Sequence, residues 1–189
     1  MTNLKEYIKQ NYMFYSNDDE EYTLSSGTVS NIYFDIKGLM LDPKGAKMVH
    51  EKLLELIFLY TEGRSFNVVG MELGGAQIVQ YMVARGFNGV IVRKNKKKYG
   101  LQKRMEGSIR EDDLIVIVDD VITSGNTVRE VRDLFSNRQL SIYCVIDRTL
   151  EQKYNSLFFV DCWYEQLIKD IRFPAIPAGE ISESWHAVR

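Results

Sequence analysis

Residues 114–129, LIVIVDDVITSGNTVR, constrain the fold more than any other stretch of the chain. Five apolar residues open it, four of them β-branched (Ile115, Val116, Ile117 and Val118), as suits a strand buried on both faces. Two carboxylates follow, Asp119 and Asp120. A turn of small residues comes next, Thr123-Ser124-Gly125-Asn126-Thr127. Apolar residues then return at Val128, Val131, Leu134 and Phe135, at helical spacing. The order is strand, two acids, hydroxyl-rich turn, helix.

Each part of that order carries chemistry. The turn sets backbone N–H groups and the hydroxyls of Thr123, Ser124 and Thr127 at a helix N-terminus. Unsatisfied donors and a partial positive charge make that end a good seat for phosphate. The two acids cannot hold phosphate themselves, because like charges repel. They can accept hydrogen bonds from sugar hydroxyls, and a Mg²⁺ can sit nearby, bridged through water and phosphate oxygens. A phosphorylated sugar fits both halves. The pattern is neither the P-loop, G-x-x-x-x-G-K-[ST], nor G-x-G-x-x-G.

The rest of the chain reads as alternating strands and helices. A short N-terminal helix carries Leu4, Tyr7, Ile8 and Tyr12, and an acidic run at 17–21 reads as a solvated loop. In residues 23–43, Gly27 and Ser30 read as a hairpin-type turn between short strands. Asp42-Pro43 opens a helix as N-cap and first helical residue; Val49, Leu53, Leu56, Ile57 and Tyr60 form its apolar face, and it breaks at 61–65. Residues 66–71 form a buried strand that runs through Glu72-Leu73-Gly74-Gly75 into a helix over 76–84. Further strands are expected at 89–93, 141–146 and 157–160, and a short helix at 164–169. Residues 173–189 read as irregular, with no role assigned to Trp185 or His186; His50 lies in a helix and reads as structural. Alternation of this kind implies a mostly parallel sheet with right-handed crossovers.

Composition narrows the function. The 189 residues suffice for one α/β domain, and a net charge of only −2 argues against a general nucleic-acid binder. Cys144 and Cys162 lie in apolar runs without C-x-x-C, so buried free thiols in a reducing compartment are expected, not zinc. The opening MTNLKEYIKQ lacks the apolar core of a signal peptide, and no stretch approaches a membrane span; a cytoplasmic protein is expected. One local departure from the charge balance stands out. From Arg93 to Arg104 there is no acid and six further basic residues at most a few positions apart, among them Lys94, Lys97 and Lys103. Such a cluster can be a nucleic-acid patch or a solvated loop, but it lies one short loop before the phosphate-binding strand, where its positive charge suits a pyrophosphate leaving group.

Four motifs, in this order along residues 22 to about 150, resemble the type I phosphoribosyltransferases that use 5-phosphoribosyl-1-pyrophosphate (PRPP), and among them the orotate phosphoribosyltransferases. The hood motif L-x-S-G-x-x-S-x-x-Y-F-D-x-K is matched by Leu24, Ser26, Gly27, Ser30, Tyr33, Phe34, Asp35 and Lys37, and Leu41-Asp42-Pro43 follows it. The Gly74-Gly75 loop matches the family's pyrophosphate loop. The basic tract resembles its flexible catalytic loop, R-K-x-x-K-x-H-G-x-x-K-x-I-E-G. VIVDDVITSGNT resembles its PRPP signature, and Asp147-Arg148 its base-contacting D-R pair.

The resemblance implies a type I phosphoribosyltransferase fold over residues 1–189, with a mostly parallel central sheet flanked by helices and a small N-terminal hood contributed by about 1–40. It implies Mg²⁺-dependent transfer of phosphoribose from PRPP to orotate in a homodimer, the catalytic loop being shared between subunits. Asp119, Asp120, Lys97 and Tyr99 would be catalytic, and Asp119 and Asp120 would lie near the metal. PRPP would be bound by Arg93, Lys94, Lys97, Asp119, Asp120, Val121, Ile122, Thr123, Ser124, Gly125, Asn126 and Thr127, with Leu73 and Gly74. Tyr33, Phe34, Thr123 and Arg148 would fix the base. No nucleic acid or membrane partner is implied.

Two positions depart from the pattern. Ser25 stands where many relatives carry lysine, and Tyr99 replaces the loop histidine. A tyrosine with an ordinary pKa of about 10 is a poorer proton relay near neutral pH. Transfer to another purine or pyrimidine base, or PRPP sensing without catalysis, stays open on the sequence.

Overall fold

In the computed structural model, residues 3–16, 21–24, 27, 29–95, 104–149 and 153–159 are described. A hood comes first. Asn3 caps helix α1 (Leu4–Asn11) by accepting from the Glu6 N–H. Four short strands follow: β1 (Met13–Tyr15), β2 (Tyr22–Thr23), β3 (Val29–Ser30) and β4 (Ile32–Phe34). β1 pairs with β4 and β2 with β3, both antiparallel. Gly27 supplies the left-handed φ of +84° between β2 and β3, whereas Ser30, expected in that turn, belongs to β3 itself.

Two capped helices connect the hood to the sheet. Asp35 accepts from the Gly38 N–H to start α2 (Ile36–Leu41), and Asp42 accepts from the Gly45 N–H to start α3 (Pro43–Thr61), with Pro43 in its first turn. The Tyr7 hydroxyl donates to the same Asp42 at 2.7 Å and so ties α1 to the start of α3. The sequence does not announce β1 or α2. Three and six residues are too few to display a period, and Asp35 caps a helix where the sequence reads as strand.

The remaining elements are β5 (Phe66–Met71), α4 (Gly74–Ala84), β6 (Asn88–Val92), β7 (Met105–Gly107), β8 (Leu114–Ile122), α5 (Asn126–Asp133), β9 (Leu140–Asp147) and β10 (Asn155–Phe159). One sheet has the order β10-β9-β8-β5-β6-β7, parallel except for the edge pair β6–β7. This is the expected mostly parallel sheet, with β7 added. The strand that carries the acids is longer than expected: it runs through Asp119 and Asp120 to Ile122. Of the two residues expected at the end of the α5 face, Phe135 is buried and Leu134 is exposed just past the helix. The acid run at 17–20, Cys162, the helix expected at 164–169 and the segment 173–189 lie outside the described residues.

Alternation along β5 and β8 separates two cores. Val68, Val116 and Val118 face the hood and α3 and α4, in a cluster with Leu39, Leu53, Ile57 and Ile78. Val69, Ile115 and Ile117 face the other side, with Val131 and Phe135. β5 leads through α4 to β6 on one side, and β8 leads through α5 to β9 on the other. The chain order therefore reverses between β5 and β8, and their carboxyl ends flank a crevice of the kind in which open α/β sheets bind ligands.

His50 is a structural part of this packing, as its helical position suggests. Its ring stacks on Tyr81 of α4 with centroids 3.7 Å apart, and Nδ1 lies against the Ala46 carbonyl oxygen. Burial, together with the nearby Arg85 charge, pulls its pKa down to about 4. The unfolded chain takes up this proton near pH 6.5 and the folded chain only near 4, so acid favours unfolding across that interval. The neutral ring's contribution is whole above pH 6.5 and is lost as the pH falls toward 4. In urea titrations, acidification from pH 7 to 4.5 should cost the wild type roughly 2 kcal/mol more than His50→Phe, which keeps a stacking ring without the titration. Equal losses in the two proteins would show that His50 is not the group responsible.

Candidate active site

Asp119 and Asp120 are adjacent near the end of β8, with their carboxyl groups in contact. Asp120 shares the hood-side face with Val116 and Val118, and there it meets Lys37 of α2, whose Nζ lies 2.6 Å from Oδ2. The other carboxylate oxygen, Oδ1, accepts from the Val121 N–H at 2.9 Å. Gly74, at the start of α4, closes a third side: a Cβ there would stand 2.2 Å from the carboxyl carbon. Burial of Lys37 works against its charge, but the adjacent carboxylate outweighs it and raises the ammonium pKa. Asp119 accepts from the Asp120 N–H at 3.0 Å. Burial, reinforced by the Asp120 charge, pushes its pKa well above the ordinary carboxylate value. The acids thus divide into an ion-paired Asp120 and an Asp119 that holds its proton more tightly.

The turn after β8 has the geometry that its residues suggest. Gly125, at φ +73°, is the N-cap of α5, and its carbonyl accepts from the Arg129 N–H at 2.9 Å. Ser124 and Asn126 are exposed, and Thr123 and Thr127 are half-buried. The Ser124 hydroxyl receives the Asn126 N–H at 3.4 Å, and the Asn126 side-chain oxygen accepts from the Arg129 guanidinium. Two of the expected PRPP-binding positions are structural in their side chains: Ile122 packs with Val128 and Cys144, and Val121 lies against the hood-side core. Cys144 is a buried free thiol, as expected. Behind the turn, buried Asp147 accepts from the Thr149 and Tyr154 N–H groups at 2.8 and 3.0 Å. It thereby sets Tyr154 against Gly125, where a Cβ would fall 2.5 Å from the tyrosine oxygen.

Across the crevice, Leu73 is exposed and Gly74 and Gly75 begin α4. Arg93 is engaged in a way that the sequence conceals. Its Nε lies 3.1 Å from Glu106 and its Nη1 3.7 Å from Glu72, and Glu72 also receives the Lys94 N–H at 2.9 Å. The basic tract contains no acid, yet acids from β7 and from the loop after β5 clasp its first residue. In this structure Arg93 ties β6 to the loop after β5 instead of standing open for phosphate. Lys97 and Tyr99 lie outside the described residues, as do Ser25 and Lys103.

The base-binding set also divides. Neighbours on a strand point to opposite faces, so Tyr33 and Phe34 cannot form one aromatic face. Phe34 is buried in the core, whereas Tyr33 is partly exposed beside Tyr22 and Phe14, at centroid distances of 5.6 and 6.5 Å. Arg148, after β9, donates from Nη1 to the Ile32 carbonyl (3.2 Å) and from Nη2 to the Ser30 hydroxyl (2.9 Å), over the Phe34 ring. Its fork holds the hood to the sheet. Lys37 is not among the site residues expected from the sequence; the one signal for it is its place in the hood motif, since its partner lies 83 residues away.

Comparison with known proteins agrees with this architecture. The phosphoribosyl transferase domain model matches residues 43–169. The chain belongs to the phosphoribosyltransferase family, enzymes of the glycosyltransferase type. Within it, orotate phosphoribosyltransferases are among the relatives matched. The one from Methanocaldococcus jannaschii is 35% identical over 141 residues, covering 71% of this chain and 77% of the relative. The one from Pyrococcus horikoshii is 33% identical over 142 residues, covering 71% and 74%. In fold, the chain is similar to Mycobacterium tuberculosis orotate phosphoribosyltransferase, with a TM-score of 0.62 at 22% identity over 85% of this chain and 97% of that one.

Proposed function

We propose that the protein transfers phosphoribose from PRPP to orotate, giving orotidine 5′-monophosphate and pyrophosphate in pyrimidine nucleotide biosynthesis. The observation that carries this reading is the crevice between β5 and β8. It sets an acid pair and a hydroxyl-rich helix start one turn apart, in a chain whose curated relatives are orotate phosphoribosyltransferases. Thr123 to Thr127 take the 5′-phosphate on the α5 N-terminus. Asp120 accepts from a ribose hydroxyl; Asp119, protonated more readily, shares a second. The Gly74 backbone lets the pyrophosphate approach, and Lys94 and Lys97 meet its charge. Tyr33 offers a ring face to the planar base, and Arg148 with Thr123 bounds the pocket beside it. The bond from ribose C1 to pyrophosphate loosens as charge gathers on the leaving group. Electrostatic stabilisation of that charge therefore contributes most to the rate, and no covalent nucleophile is needed.

Mg²⁺ fits this donor set in one way. Among the described residues no three His, Cys, Asp or Glu side chains cluster to hold a metal, and Asp120 already has Lys37 as a partner. Asp119 and Asp120 would lie beside the ion and hold it indirectly, and when bound it would neutralise leaving-group charge. No helix among the described residues is long and apolar enough to cross a membrane. We place the enzyme in the cytoplasm, as a homodimer sharing the loop that carries Lys97 and Tyr99.

The test follows the ultraviolet absorbance of orotate. Loss of absorbance only with both PRPP and Mg²⁺, abolished by EDTA and restored by excess Mg²⁺, is the expected result. Consumption of PRPP with a different base and none with orotate would overturn the substrate assignment.

A further inference from the structure

Lys37 has no part in the roles above, yet it makes the shortest ion pair of the site. It enters from α2, whose start is set by the Asp35 cap, and its side chain is about half exposed (49%) while Asp120 is buried. The surroundings of Asp120 restrict what can reach that acid. Oδ1 is occupied by the Val121 N–H, and the Gly74 backbone lies against the carboxyl group on another side. The remaining approach, to Oδ2, passes the Lys37 ammonium 2.6 Å away. A sugar hydroxyl that binds Asp120 from that side must lie beside Lys37.

An ammonium has three N–H donors, and Asp120 occupies one. Two remain for a ligand. In a ribose that carries a diphosphate at C1, the diphosphate oxygens are the anionic atoms next to the ring hydroxyls. The charge balance points the same way. Arg93 is neutralised by Glu72 and Glu106, so Lys37 is the cation that the described residues place against the acid pair. Without it, Asp120 would face an incoming polyanion as an uncompensated negative charge.

We propose that Lys37 is a substrate-contacting residue that binds the C1 diphosphate of PRPP while remaining hydrogen-bonded to Asp120. The inference rests on the reading of the site as a PRPP site. It assigns one lysine two functions: orienting the acid that holds the ribose, and meeting the leaving group.

The experiment is calorimetric binding of PRPP, inorganic pyrophosphate and ribose 5-phosphate to the full chain, as wild type, Lys37→Met and Lys37→Arg. A diphosphate contact predicts that Lys37→Met weakens PRPP and pyrophosphate about 10- to 100-fold, as fits the loss of a charge-assisted hydrogen bond. Ribose 5-phosphate, which lacks the diphosphate, should change by less than about threefold, and Lys37→Arg should recover part of the loss. Equal weakening of PRPP and ribose 5-phosphate would mean that Lys37 only positions Asp120, and would overturn the contact. Unchanged binding of all three would overturn it as well. If Lys37→Met does not fold, judged by its melting curve, Lys37→Gln takes its place with the same criteria. A wild type that binds none of the three overturns the PRPP reading itself, which separates the two failures.

Discussion

Asp120→Asn is expected to lower kcat/KM for phosphoribosyl transfer by about 100- to 1,000-fold, with PRPP binding weakened and the fold retained. The carboxylate holds the Lys37 ammonium and, in the function proposed above, a ribose hydroxyl; the amide keeps the shape of the side chain but not its charge. Hydrogen bonds to charged groups contribute roughly 1.5–3 kcal/mol each, so weakening both accounts for a loss of that size. The amide must also turn its oxygen toward Lys37, which directs its NH₂ group at the Val121 N–H and opposes two donors. Asp119→Asn should cost less. Burial already biases that side chain toward its protonated form, which an amide resembles in charge. Steady-state kinetics on both variants, with thermal melts as a check on folding, measure the difference. Equal losses would show that the two acids act as one charged unit, and a near-normal Asp120→Asn rate would remove the ribose role.

What the sequence reveals of this site, and what it hides, follows from the range of each interaction. The acids, the phosphate turn and helix α5 are contiguous, so one stretch displays them together. The buried strand is legible but its end is not, because carboxylates look like a strand end; β8 runs on because Val121 and Ile122 pair with Ile146 and Asp147 beyond them. The glycines after β5 are visible, but not their reason, which lies in atoms of β8. Side-chain partners are the least legible. Arg93 looks like an open cation until Glu72 and Glu106 are brought in from the loop after β5 and from β7. Arg148 looks like a ligand for the base until the hood is folded over it, when its fork meets Ile32 and Ser30. Tyr33 and Phe34 look like a pair, but strand alternation separates them. Lys37 is the same lesson in reverse: a hood residue with no local partner becomes part of the site when the fold brings Asp120, 83 residues away, against it.

Two adjacent glycines that read alike should respond in opposite ways. In Gly74→Ala the new methyl would lie 2.2–2.5 Å from the carboxyl atoms of Asp120. That group is the end of a side chain and can rotate aside, so the fold survives while Asp120 leaves Lys37 and the ribose-binding position proposed for it. The expected result is a loss of activity of the same order as for Asp120→Asn, with melting little changed. In Gly75→Ala the methyl would meet main chain, 2.6 Å from the Val118 carbonyl oxygen and 2.9 Å from the Gly70 Cα. Neither can rotate away, so α4 must lift from β5 and β8. Overpacking of this kind costs about 1–3 kcal/mol, against which alanine regains at most about 1 kcal/mol of helix propensity. For a chain of this size the remainder, up to about 2 kcal/mol, corresponds to a fall in melting temperature of up to roughly 8 °C. Calorimetric melts and initial rates on the two purified variants separate the effects. Gly74→Ala should fail in the assay at a temperature where it is folded, and Gly75→Ala should melt early. Retained activity in Gly74→Ala would mean that Asp120 does its work from a second position, and the close approach of α4 to the acid would then serve packing alone.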